Sequence, residues 1–350
     1  MIMRYGLLIS TAIILLIVSF NCKSPTAPKS NNPPDTTSNN FTFQTFTFGN
    51  TSAGSSYLND VAIINDTDIW AVGAVYLTDS TGKPDPFPYN AVHWDGKSWN
   101  LIKIAVQTSY GKVIAPFYGI YAFSANDIWI SSGVPIHGDG QTWTQYNLFD
   151  MGVLSQNDGY LTKIFGTSST DLYFVGTKGT IAFYNGIWQK IESGTTTKIG
   201  DIWGANGTIL CAVSNKATPG DLKILKVSST NTVDSISWNT GREVQSIWFS
   251  DTSKVFACGD GVFIRGANRA WTEQKSLPSY YSNRIRGIAN NDVIVCGDYG
   301  LLAHYNGVSW VSYNLPNALS LVLSSLDFKR NTVVVTGYDG SNAYIIMGKR

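Results

Sequence analysis

Asp68-Ile69-Trp70-Ala71-Val72-Gly73 followed, after an insertion, by His93-Trp94-Asp95-Gly96-Lys97-Ser98-Trp99 sets the pattern for the chain. An apolar run ends in a polar turn, an acidic residue opens a second apolar run closed by Gly, and a short strand leads through Asp-Gly or Asn-Gly to Trp. The pattern returns as Asp127-Ile128-Trp129 with His137-Gly138-Asp139-Gly140-Gln141-Thr142-Trp143. It returns again as Asp171-Leu172-Tyr173-Phe174-Val175-Gly176 with Tyr184-Asn185-Gly186-Ile187-Trp188, and as Asp292-Val293-Ile294-Val295-Cys296-Gly297 with His304-Tyr305-Asn306-Gly307-Val308-Ser309-Trp310. Three degenerate copies fill the gaps, at Thr208 to Val213, at Val255 to Gly259 with Trp271, and at Thr332 to Gly337.

A period of about 40 residues with four short strands per copy predicts an all-β fold, a single β-propeller of about seven four-stranded blades. One such sheet cannot bury both faces alone and stacks on its neighbours around an axis. Asp-Gly and Asn-Gly between strand-like runs predict hairpins with type I′ turns, in which both central residues take positive φ. The Trp after each turn is placed at the start of the outermost strand, covering the flank towards the next blade. The seventh copy has first, second and third strands near Leu319 to Phe328, Thr332 to Tyr338 and Ala343 to Met347, but no fourth. Phe41 to Phe48 (FTFQTFTF) alternates apolar and polar residues before the first copy, and is expected to supply that strand and close the ring.

The repeats resemble those of Asp-box-like propellers, in particular bacterial proteins similar to photosystem II assembly and stability factors, and more distantly sialidase-like propellers. The resemblance covers roughly residues 41–350 and implies architecture rather than activity. An Asp box has one residue between Asp and Gly, whereas Asp139-Gly140 has none.

Upstream, Arg4 and the apolar run Tyr5 to Val18 read as a signal peptide over residues 1–21. Ser19-Phe20-Asn21-Cys22 resembles a bacterial lipobox, so Cys22 is the expected lipid attachment site. Residues 22–40 then form a polar, Pro-rich tether without large apolar side chains, expected to be disordered with ends on the order of 25 Å apart. These readings place the chain as an exported monomer, a cell envelope or outer membrane lipoprotein. It is expected to be periplasmic or surface-facing, with the membrane touched through the anchor only. The formal net charge of +1 and a charged fraction of 14% provide no basic field for nucleic acid.

Chemistry is sparsely represented. His93, His137 and His304 occupy one repeat position in three blades and cannot converge on a metal, so no metal and no cofactor is expected. Cys211, Cys258 and Cys296 fall in second strands and read as buried free thiols, although spacing does not exclude a disulfide. A sialidase-like hydrolase needs arginines converging on the channel, a Tyr nucleophile and an acid, yet after Arg4 the next arginine is Arg242. No catalytic residue is assigned. The binding residues expected on the loop face are Tyr76, Phe87 and Tyr89 of an insertion (YLTDSTGKPDPFPY), Tyr110, Tyr118, Tyr160, Tyr280 and Tyr281, with Arg284 and Arg286 beside them. Phe117 and Phe149 belong to the same connections. A non-enzymatic module binding a protein partner ranks first, with an extracellular glycan or sialidase-like hydrolysis as alternatives.

Overall fold

The computed structural model describes residues 36–213 and 221–350; the signal segment, Cys22 and the first part of the tether lie outside the described residues. Among the described residues there are seven four-stranded antiparallel sheets, together with one two-stranded hairpin. Their first strands, Tyr57–Asn65, Gly119–Ser124, Leu161–Ser168, Ile199–Ala205, Val244–Asp251, Ser282–Ala289 and Val322–Lys329, define blades 1 to 7. Each packs on the next and the seventh packs on the first, so the strands ring a central channel. The degenerate fourth copy is a complete blade, ending in strands Lys223–Val227 and Val233–Ile236.

Second strands are covered on both sides by neighbouring blades, which is why they read as unbroken apolar runs. Seven consecutive residues of Asp68–Val75 and every residue after Asp171 in Asp171–Gly176 sit in the core around buried Ile69, Val72 and Phe174. Their closing Gly answers a close approach. A Cβ on Gly73 would lie 2.2 Å from the Tyr57 carbonyl oxygen and one on Gly176 1.8 Å from that of Tyr160, where the first strand bulges towards its partner.

The outermost strands open at Trp99, Trp143, Trp188, Trp271 and Trp310, each paired with the last residue of the strand before it. The connecting turns differ from the expected type I′ form. Trp94 pairs with Trp99, leaving a four-residue loop in which Gly96 takes φ +91° while Asp95 does not enter the positive region. The Asp95 carboxylate accepts the Lys97 and Ser98 backbone N–H groups, each at 2.8 Å, and these bonds hold its pKa down to about 2. An acceptor side chain therefore does the work that a second left-handed residue would do in a two-residue loop.

The repeat's histidines are structural. Asp68 Oδ1 accepts from Trp70 Nε1 at 3.0 Å and pairs with His93 Nε2 at 2.9 Å, while the indole stacks on the imidazole at 4.3 Å. Blade 2 repeats this with Asp127, Trp129 and His137, and blade 6 keeps the Asp292–His304 pair at 2.8 Å.

Closure follows the expected route. Thr42–Phe48 pairs antiparallel with Ala343–Lys349, from Thr42 opposite Lys349 to Phe48 opposite Ala343. The alternation in FTFQTFTF sends Phe46 and Phe48 into the cluster shared with blade 1, and Phe41 and Phe43 into the cluster shared with blade 6. Residues 37–40, the end of the expected tether, bond to the ring. Thr37 donates to the Asn306 and Asn291 carbonyls, Asn39 accepts Tyr313 OH and lies 2.6 Å from the buried His304 Nδ1, and Arg350 donates to Ser38 O. Thr37 to Asn40 are thus held against blade 6 by polar bonds that their apolar content gave no reason to expect.

Candidate functional site: the connection face and the channel beneath it

Propeller topology gives two unlike faces. Turns from first to second and third to fourth strands lie on one, the turn face, while second-to-third loops and inter-blade connections lie on the other, the connection face. The second-to-third loop of blade 1, between Val75 and Tyr89, braces itself. Asp79 N donates to Lys83 O, Asp85 N to Leu77 O, and the Asp85 carboxylate pairs with Lys103. The next connection carries the small hairpin Val106–Thr108 and Gly111–Val113, with Tyr110 at its tip.

Among the described residues, five aromatic side chains are exposed by more than a third: Phe87 (52%), Tyr110 (96%), Tyr118 (41%), Tyr160 (65%) and Tyr299 (53%). All five lie on the connection face. Tyr299 was not among the residues singled out from sequence, although its loop, between the second and third strands of blade 6, obeys the rule that selected Phe87. It takes φ +56°, uncommon for a bulky residue, and its ring lies 5.0 Å from Tyr280. Tyr76, Tyr89, Tyr280 and Tyr281 are on the same face but half-buried, as is Phe149. Lys103 covers the Tyr89 ring at 4.8 Å, and Phe117 is buried outright, so these rings pack the loops and support the exposed ones.

The expected placement of Arg284 and Arg286 beside those aromatics is corrected. Both are on the first strand of blade 6, 7% and 4% exposed, and point into the channel. Arg284 Nη1 reaches Asp201 Oδ1 at 2.6 Å; Arg286 grips both Asp201 oxygens at 2.8 Å and its guanidinium lies 4.7 Å over Trp203. Ser246 Oγ also donates to Asp201 at 2.5 Å. Across the channel, Asp60 accepts Lys163 Nζ at 2.9 Å and Ser325 Oγ at 2.6 Å, with Arg284 Nη2 at 3.6 Å. Burial opposes ionisation of Asp201, but Arg284 and Arg286 hold its carboxyl well below the usual range. Burial also pulls the Lys163 ammonium down to about 8, against the attraction of Asp60. Six blades contribute charge or hydroxyl partners, so the network ties the first strands together across the axis. The strand begins at Ser282, so both arginines lie within it rather than in the connection that precedes it.

At the turn-face end of the channel lies a cavity of about 200 Å³ lined by Ile63, Tyr121, Trp203, Arg286 and Asp327. The elements of a sialidase-like site are therefore close together, but their states are unsuited to it. The arginines are already engaged by Asp201. Tyr121 OH donates to Gly166 O at 2.9 Å, and burial, with Asp327 nearby, pushes its pKa up to about 12, away from the phenolate a nucleophile requires. Cys211, Cys258 and Cys296 are buried free thiols, and among the described residues no three His, Cys, Asp or Glu side chains gather as metal ligands.

Fold and site together define a seven-bladed β-propeller with its exposed aromatics on one face. No protein-family model and no curated protein matches the chain. Solved structures do resemble it. YCF48 bound to D1 peptide superposes with TM-score 0.65 at 14% identity, over 88% of this chain and 97% of that one. YCF48 from Cyanidioschyzon merolae gives 0.60 at 14% identity over 87% and 98%. A catalytically inactive virginiamycin B lyase from Staphylococcus aureus with quinupristin gives 0.62 at 11% identity over 87% and 99%. At these identities the likeness is one of fold, and it spans both a peptide-bound protein and a lyase.

Proposed function

We propose that this protein is a non-enzymatic propeller that docks a protein partner on its connection face, and that it is exported and tethered to the cell envelope through Cys22. The observation that carries the reading is the confinement of all five exposed aromatic side chains among the described residues to one face. Tyr is the side chain that contributes contact area at low entropic cost, and a braced insertion and hairpin present it on stiff supports. The peptide in the YCF48 structure supports a polypeptide partner for a propeller of this shape. Saturation of the channel arginines by Asp201 speaks against the hydrolase reading. Thr37 meets the ring on the turn face, beside Asn291 and Asn306, opposite the face that carries the exposed aromatics.

The test is recovery of a partner from envelope extract on wild-type protein and on Tyr118→Ala/Tyr160→Ala. Recovery should fall about tenfold or more, the size of a hot-spot loss near 1.4 kcal/mol. Unchanged recovery places the site elsewhere. Binding on a glycan array with no protein recovered favours the carbohydrate alternative, and turnover of a chromogenic glycoside overturns the non-enzyme reading.

A further inference from the structure

Blade 4 breaks the repeat at one register position. Where five other blades open their outermost strand with Trp, blade 4 has Val233, paired with Val227. Such a Trp lies against the preceding blade: Trp143 is 6.0 Å from Trp70 of blade 1, and Trp188 is 6.1 Å from Trp129 of blade 2. On blade 3 the corresponding surface is Tyr173, tilted against Phe183 at 4.6 Å in the place of the stacked Trp–His pairs. Val233 packs against the cluster that holds Phe165, Tyr173 and Phe183, and a cavity of about 220 Å³ lies on the turn face between blades 3 and 4, over Tyr173, Phe183, Phe165 and Ile209, with Asp171 on its wall.

Asp171 is the equivalent of Asp68 and Asp127, whose carboxylates each take one indole and one imidazole nitrogen. Tyr173 and Phe183 carry no ring N–H, and the Asp171 carboxylate instead accepts from Thr167 Oγ1. The cavity therefore lacks the covering ring at Val233, and Asp171 lacks ring donors at Tyr173 and Phe183, so three repeat positions have lost their nitrogen heterocycles.

We propose that this cavity binds a flat heteroaromatic ring bearing an N–H donor, an indole above all, with the ring over Tyr173 and Phe183 and the N–H on Asp171. The aromatic wall supplies apolar contact and edge or offset stacking, and the half-buried Asp171 carboxylate selects a ring with a donor over one without. It lies on the opposite face from the proposed partner surface and stands independently of it.

Indole itself is the probe, titrated into the full chain and followed by amide chemical shifts, with 1-benzothiophene as the isosteric ring lacking N–H. Saturable binding below about 1 mM is expected, with the largest shifts at residues 204–208, and benzothiophene should bind at least tenfold more weakly. Val233→Trp restores the missing ring and should abolish indole binding while leaving recovery of the connection-face partner intact. No saturation at millimolar indole, shifts centred on another face, or equal affinity for the two rings overturns the proposal. So does unchanged indole binding in a folded Val233→Trp protein, and the location of the shifts in wild type decides the matter if that variant does not fold.

Discussion

Deletion of residues 41–48 should be the most damaging small change to this ring, costing on the order of 5 kcal/mol or more. It strips seven paired residues from Ala343–Lys349 and removes four phenylalanines, two from the blade 1 interface and two from that of blade 6. Phe41 also forms edge contacts with His304, Tyr313 and Phe328, so its loss reaches the Asp292–His304 pair and the Arg350 guanidinium lying 4.8 Å over its ring. A ring of seven sheets then carries an exposed edge and a gap between its sixth and first blades, with aggregation the expected consequence at moderate concentration. Removing residues 23–36 instead should leave the melting temperature close to that of wild type, because that polar stretch offers no large apolar side chain to bury. Chemical denaturation of the two truncations is the check; equal midpoints contradict the closure argument.

Asp201→Ala is expected to cost about 3–5 kcal/mol, because it leaves Arg284 and Arg286 buried without their carboxylate. Replacing the set together, as Asp201→Leu/Arg284→Met/Arg286→Met, should recover most of that loss, since no uncompensated charge remains. The network also fixes the sign of the acid response. Asp201 and Asp60 have pKa values below those of the unfolded chain, so their stabilisation is complete above the unfolded-state value near 4 and is lost as pH falls through the folded values. Asp327, raised by burial despite the Ile63 N–H and Arg286, acts oppositely: its contribution is present below the unfolded value and lost as pH rises through the raised one. Wild type should thus lose stability in acid, and Asp201→Ala should show a flatter acid limb. A full acid limb in the Asp201→Ala protein contradicts the assignment.

What the sequence disclosed was whatever repeats. Asp-Ile-Trp, the closing Gly and the Trp after Asp-Gly each mark a contact that recurs around the ring, so blade number, strand order and closure could be read before any coordinates. The aromatic loops were legible in outline, because topology alone sends second-to-third loops and connections to one face; Tyr299 follows the same rule as Phe87. Features made once were not legible. Asp201 lies in a degenerate copy, and its partners Arg284 and Arg286 are 83 and 85 positions away, joined only when blades 4 and 6 face each other across the channel. The attachment of Thr37 to Asn40 depends on carbonyls of Asn291 and Asn306, which no local pattern announces. Register had to be seen as well before Val233 could be recognised as a missing Trp.

The claim that the connection face is the docking surface is tested most directly by position-specific photocrosslinking in the envelope. A photoreactive residue placed at Tyr118 or Tyr160 should yield an adduct with one partner protein, whereas the same residue at Ile187 or Val308, which are 71% and 56% exposed on the turn face, should yield none. Adducts from Ile187 or Val308 with Tyr118 and Tyr160 silent, or no adduct from any of the four positions, would contradict it.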